Sequence, residues 1–313
     1  MARRTTLIRG AAFSALALAF ALPKLRERFD LPRALGFAAW LGPPAASVAL
    51  PRGRARGYAT FMAQMWAYLR SFELAYAAPE RLAARLRVEY PIVIDRRLGL
   101  GHTPTERLQR WRADAANARL VDRALGAVYF AWAPERQAGL LWILLRHPRR
   151  FARAAALVSG AFDVGWVLYT AFPTAPPWWA GKVGALPGVT RATVDASRAL
   201  PLVPEENERD RDQGNPWAST PSTHTASAAM LAIVLAELDP RAGLAAGGYL
   251  AALGLALVYL GEHYLFDVLT GLGLALAVRL CEPLARPPAR RIAAAFDALS
   301  DAAWSRRRRL PWR

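Results

Sequence analysis

The chain has 313 residues, is 54% hydrophobic and carries a formal net charge of +17, a pairing that fits neither an ordinary soluble domain nor a disordered tail and points to a membrane protein with basic flanks. No Cys/His finger, RNP-like run or base-reading basic helix stands out, so anionic lipid headgroups rather than nucleic acid are the expected counter-charge. The lone cysteine, Cys281, excludes a disulfide framework and a cysteine metal site.

A spanning helix needs about 20 mostly apolar residues. Residues 10–23 form a short apolar run after Arg3, Arg4 and Arg9, read as a signal-anchor, a signal peptide or an extra helix. Residues 34–50 are apolar but interrupted by Gly42-Pro43-Pro44, as suits a re-entrant or broken helix. Six runs then read as spans: 57–77, 122–146 with a kink at Pro134, 151–172, 222–238, 242–262 and 264–281. The predicted fold is an all-α polytopic membrane bundle: an N-terminal membrane segment with a basic loop (1–56), a six-helix core (57–283) and an Arg-rich tail (284–313).

Arginines retained in short cytoplasmic loops set the orientation. Arg52, Arg54 and Arg56, the group Arg146, Arg149, Arg150 and Arg153, and residues 306–309 all read as cytoplasmic. The loop 173–219, with five basic and six acidic residues, then lies outside, its Trp178, Trp179 and Trp217 forming an interfacial belt. The segment 78–120 carries nine arginines against five acids and reads as amphipathic helices on headgroups, with 91–98 between them. The expected location is the plasma membrane, with the C-terminus cytoplasmic.

His224 follows Pro221-Ser222-Thr223, and His263 precedes Asp267 by four residues. The 38 residues between the histidines hold two apolar runs around Asp239-Pro240-Arg241. At 1.5 Å per residue each run rises about 30 Å, so the chain crosses and returns, and both histidines sit at the outer face. Ser219 or Thr220 is expected to cap a helix opened by Pro221, whose first-turn N–H groups attract phosphate. The spacing lets Asp267 hold one ring nitrogen of His263 while the other faces substrate, as an activated histidine nucleophile requires. Glu262 reads as a solvated rim residue. Arg70 and Glu73 share a face within a span, which reads as a structural pair.

These residues resemble the type 2 phosphatidic acid phosphatase superfamily, whose second motif is Pro-Ser-x-His and whose third ends His-x-x-x-Asp. The match is close over 215–271, and Phe172-Pro173-Thr174-Ala175-Pro176-Pro177-Trp178, with the 95–109 stretch, is similar to the inositol phosphorylceramide synthase branch. The resemblance implies His263 as nucleophile, His224 as general acid and then base, Asp267 as its orienter and Ser222 as a phosphate donor, with no metal or cofactor. It implies hydrolysis of a lipid phosphate, or transfer of a phospho-headgroup between lipids.

Two departures from the family pattern leave the phosphate charge unanswered. The third motif normally begins Ser-Arg where Ala256 and Leu257 stand, and the first motif, a lysine followed by Arg-Pro, is absent. Lys182, Arg191, Arg198 and Arg70 are the candidate replacements, so Ser222, Thr223, Lys182 and Arg70 are taken as the substrate-binding set. The alternative is a non-catalytic lipid-phosphate binder or transporter on the same fold.

Overall fold

In this computed structural model the described residues are 2–76, 79–114, 116, 118–198, 200 and 216–304. The arginine run at 306–309 and residues 201–215 of the long loop lie outside them. Among the described residues the chain is helical with no strands, and four helices are long and apolar enough to cross a membrane. They include α1 (Ala2–Phe29), which carries the first apolar run through Pro23. The interrupted run that follows is indeed broken, into a 3-10 segment (Arg33–Leu41) and α2 (Gly42–Ala49). Both pack with α1 and α3 (Arg54–Tyr76), and Trp66 Nε1 donates to the Ala19 carbonyl at 2.9 Å.

The basic segment folds as α4 (Pro79–Ala83), α5 (Glu89–Leu98) and α6 (Pro104–Asp114). Residues 91–98, expected to separate two helices, are instead part of α5. The predicted kinked span is two helices, α7 (Ala118–Phe130) and α8 (Trp132–Arg146). Pro134 has no N–H for the Phe130 carbonyl and its ring crowds that oxygen, so the ladder stops between them.

Then come α9 (Pro148–Ala171), α10 (Pro177–Lys182), α11 (Thr193–Arg198), α12 (Thr223–Ala236), α13 (Pro240–Tyr259) and α14 (Leu265–Trp304). The 14 residues of α12 rise only about 21 Å. Apolar all round, it lies inside the bundle against α8, α9, α13 and α14. Met230 and Leu231 are fully buried there, in one cluster with Phe61, Leu140, Val158 and Phe162. The 40-residue α14 runs through Pro283, Pro287 and Pro288 and packs on α2 and α1, where Arg52 meets Asp301 (2.9 Å) and Arg56 meets Asp297 (2.7 Å).

Because α12 ascends and α13 returns, the start of α12 and the end of α13 share one end of the bundle. At the opposite end Arg153 of α9 bridges Glu237 and Glu282, and Arg279 reaches Glu237 at 2.8 Å. These four charges tie α9, α12 and α14 together. Networks of partly buried charges contribute more than isolated surface pairs. Arg153→Ala should therefore lower stability by about 1–2 kcal/mol, read as an earlier unfolding transition in mixed micelles. The deficit should shrink in high salt, which screens the wild-type network.

Candidate active site

Ser222 begins the site. Its backbone is extended (φ −64°, ψ 110°) and its Oγ accepts from the Thr225 amide at 3.2 Å, so Ser222 is the N-cap of α12. This corrects the expected cap. Pro221 lies before the helix, joined to Thr220 by a cis peptide, and the Ser219 and Thr220 hydroxyls turn away to Asp267. The Thr223 amide donates to the Tyr169 hydroxyl at 3.0 Å, and that hydroxyl donates to the Pro221 carbonyl at 2.7 Å. With the Thr223 and Thr225 amides thus engaged, the expected anion site on this helix start is largely occupied by the chain itself.

The other half of the site follows α13. Leu260 caps that helix, Gly261 adopts φ +78°, and the Gly261 and Glu262 amides donate to the Val258 and Leu257 carbonyls at 3.3 and 3.0 Å. This is a Schellman turn, and it needs glycine. A Cβ at Gly261 would also lie 2.6 Å from the Thr190 carbonyl. The turn delivers His263, 3% exposed, ahead of α14 and not on it.

The Asp267 carboxylate is fully buried. Its Oδ2 accepts from Ser219 Oγ (2.5 Å) and from the Tyr264 amide (2.9 Å), its Oδ1 accepts from the Thr220 hydroxyl, and its carbonyl accepts from the Ser222 amide (3.0 Å). His263 Nδ1 lies 3.4 Å from Oδ2, within ion-pair distance but outside hydrogen-bond geometry. On its other side, His263 Nε2 is 3.2 Å from His224 Nδ1. The two histidines, 39 positions apart in the chain, thus stand in direct contact. His224 also packs on Trp132, with ring centroids 4.3 Å apart, and on Tyr129 at 5.7 Å.

The surrounding loops lock this arrangement. Thr174 donates through its amide to the Trp217 carbonyl (2.9 Å) and accepts from the Ser219 amide (3.3 Å), while the Trp178 amide donates to the Gly261 carbonyl (3.1 Å). The proline-rich loop therefore joins the Ser219 strand of chain to the His263 turn. Trp178 and Trp217 are buried, so the expected aromatic belt points into the protein, with Trp179 between them. Glu262 is buried rather than solvated: it pairs with Arg191 (2.8 Å) and accepts from Thr193 (2.7 Å).

The structure brings His224, His263, Asp267, Ser222 and Thr223 together. Arg70 is engaged elsewhere, with Glu27 of α1 (2.8 Å) and Glu73 (2.6 Å), as the structural reading of that pair expected. Lys182 lies over Trp179 at 5.0 Å and Arg198 is 3.8 Å from Asp195. One residue passed over in the sequence is Arg136, which lies beside Trp132 within the bundle. An arginine one turn after Trp132, inside an apolar stretch, was the available signal.

A PAP2 superfamily model matches residues 92–281, about three-fifths of the chain. The chain belongs to the PAP2 superfamily. No curated protein and no solved structure matches it. PAP2 membership gives a phosphatase-type function in a membrane fold, with a lipid phosphate as substrate class. The match begins inside α5, at the helix that supports the site from below the α14 start.

In that helix Asp95 is fully buried and accepts from the Leu265 and Phe266 amides at 3.2 and 2.8 Å, so it caps the helix that carries Asp267. Burial raises its pKa from the ordinary 3.8 to about 6, against the pull of those two amides. The folded protein then holds a proton that the unfolded chain has released between about pH 4 and 6, so this group's contribution to stability falls as pH rises through that window. Asp95→Asn should remove that slope, measured as unfolding midpoints from pH 4 to 7 against the parent protein.

Proposed function

We propose that this PAP2 protein cleaves or transfers a lipid phosphate through a phosphohistidine on His263. The observation that carries the reading is the 3.2 Å contact between His224 Nδ1 and His263 Nε2, with Asp267 behind His263 at 3.4 Å. A proton on His263 Nδ1, facing the carboxylate, leaves the lone pair on Nε2. That nitrogen attacks phosphorus, the N–P bond forms and the P–O bond to the lipid alcohol breaks. His224, acting as the imidazolium, gives its Nδ1 proton to the departing oxygen and becomes neutral, then takes one from the incoming water or alcohol, whose oxygen displaces His263. The substrate replaces the histidine-histidine hydrogen bond, so the resting contact marks where the phosphoryl group enters. Ser222 and Thr223 fix the start of α12 and thereby the position of His224.

The transfer reading has its own support. A cleft of about 330 Å³, lined by His102, Glu106, Gln109 and Arg110 and by residues 187–189, adjoins the turn before His263. Gln109 joins cleft to turn, donating to the Tyr259 carbonyl at 3.1 Å and accepting from the Thr190 amide at 2.9 Å. A polar alcohol seated there would compete with water for the phosphohistidine, as in the inositol phosphorylceramide synthase branch that the proline-rich loop resembles. The catalytic unit is taken as 57–283 and the site as extracytoplasmic, from the arginine distribution.

Purified protein should release labelled headgroup or phosphate from phosphatidic acid, isoprenyl phosphate or phosphatidylinositol in mixed micelles. His263→Ala should lower the rate at least about 10³-fold, and Asp267→Asn by about 10²–10⁴-fold. Equal rates in wild type and His263→Ala would end the phosphohistidine reading. For orientation, Val183, 54% exposed in the loop, offers a test: Val183→Cys in a Cys281→Ser background should react with a membrane-impermeant maleimide in intact cells. Labelling only after lysis would place the site on the cytoplasmic side.

A further inference from the structure

A phosphate brought to His224 and His263 meets Asp267 and Glu262, both buried carboxylates, and helix-start amides that are already bonded. Its charge requires a cation. Arg191 is paired with Glu262 and stacked on Trp178 at 5.0 Å. Position 257, where the family pattern places an arginine, is a fully buried leucine packed with Ala228, Leu253 and Val268. The region of α13 that would carry the cation is therefore apolar.

Arg136 of α8 supplies what is missing. It is 7% exposed, its Nε and Nη1 have no hydrogen-bond partner, and among the described residues no carboxylate lies within ion-pair distance. Its guanidinium lies 4.4 Å from the centroid of Trp132 and 4.8 Å from that of Phe162. Trp132 is the ring packed on His224, and Arg136 follows it by four residues, on the same helical face. The charges of Arg136 and Arg191 both act on the His224 ring. An unpaired guanidinium inside a membrane bundle is costly, and two aromatic faces offset only part of that cost. A bound anion would supply the rest.

We propose that Arg136 is the phosphate-binding cation of this site, reaching a tetrahedral phosphate oxyanion at His224 from the membrane side of the bundle, opposite the loop that carries Arg191. The proposal rests on the phosphohistidine reading for the position of the phosphate. A guanidinium fits this task because its planar fork holds two oxygens at once and keeps its charge when buried.

The test uses the full chain in detergent, as wild type, Arg136→Met, Arg136→Lys and His263→Ala. Affinity for orthovanadate and inorganic phosphate is measured by calorimetry, and kcat and KM with phosphatidic acid in mixed micelles. Arg136→Met should weaken vanadate binding and lower kcat/KM by about 10²-fold or more. Arg136→Lys should fall between it and wild type, and the unfolding temperature of unliganded Arg136→Met should be equal or higher. Free phosphate and the lipid substrate should be affected alike if the shared oxyanion is what Arg136 holds. Vanadate affinity unchanged in Arg136→Met, no vanadate binding by wild type, or a loss matched by a lower unfolding temperature and not eased by lysine would overturn the proposal. If wild type binds vanadate but turns over no lipid phosphate, the phosphohistidine reading fails on its own, and the Arg136 assignment stands or falls on the vanadate affinities.

Discussion

The Asp267 carboxylate is buried in a membrane bundle and, among the described residues, has no lysine or arginine at ion-pair distance. It is held by two hydroxyls and one amide, from Ser219, Thr220 and Tyr264. A buried carboxyl group is costly in such a place unless its oxygens are hydrogen-bonded, and three donors reach them. Those donors come from both halves of the site. The same hydrogen bonds therefore draw the start of α12 onto the start of α14, and the Ser222 amide on the Asp267 carbonyl completes the closure. Without this knot the two histidines have no reason to stand 3.2 Å apart.

Around the knot, the chain satisfies its helix ends with its own groups, and the two histidines meet each other. The α14 amides go to Asp95 and Asp267, the α12 amides to Tyr169 and Ser222, and the α13 carbonyls to the Schellman turn. Such completeness matters in a membrane, where water is not present to fill gaps. It also fixes rotamers before substrate arrives, and preorganisation of this kind is how phosphoryl transfer is accelerated.

Much of this was legible in the sequence because it depends on period and length. Two apolar runs between His224 and His263 imply a crossing and a return, and that alone puts both rings at one end. The Pro134 interruption was legible as a kink, although propensity does not say that proline will end one helix and start another. The cap was misplaced because Ser219, Thr220 and Ser222 are all good N-caps, and the choice was made by a residue some 45 positions away. Asp267 claims the first two hydroxyls and leaves Ser222 to the helix. Glu262 was read as solvated for the same reason: its partners, Arg191 and Thr193, are about 70 residues upstream. Tertiary partners decide such cases, and local pattern cannot name them.

The fate of the phosphate cation follows the same logic. What a phosphoryl group senses is the position of a charge in space, not the helix from which the charge is delivered. Replacing an arginine on α13 by Leu257 lets α13 pack against α12 and α14 with an apolar face, and it leaves α8, whose Trp132 already abuts His224, as the wall able to present a guanidinium. Delivered from α8, Arg136 lies against the Trp132 and Phe162 rings and, among the described residues, has no carboxylate within ion-pair distance. An ion pair would make the resting protein more comfortable and the site less able to take phosphate. The unpaired state of Arg136 is thus the property that suits it to the role, and the surrounding aromatic faces are what make that state tolerable.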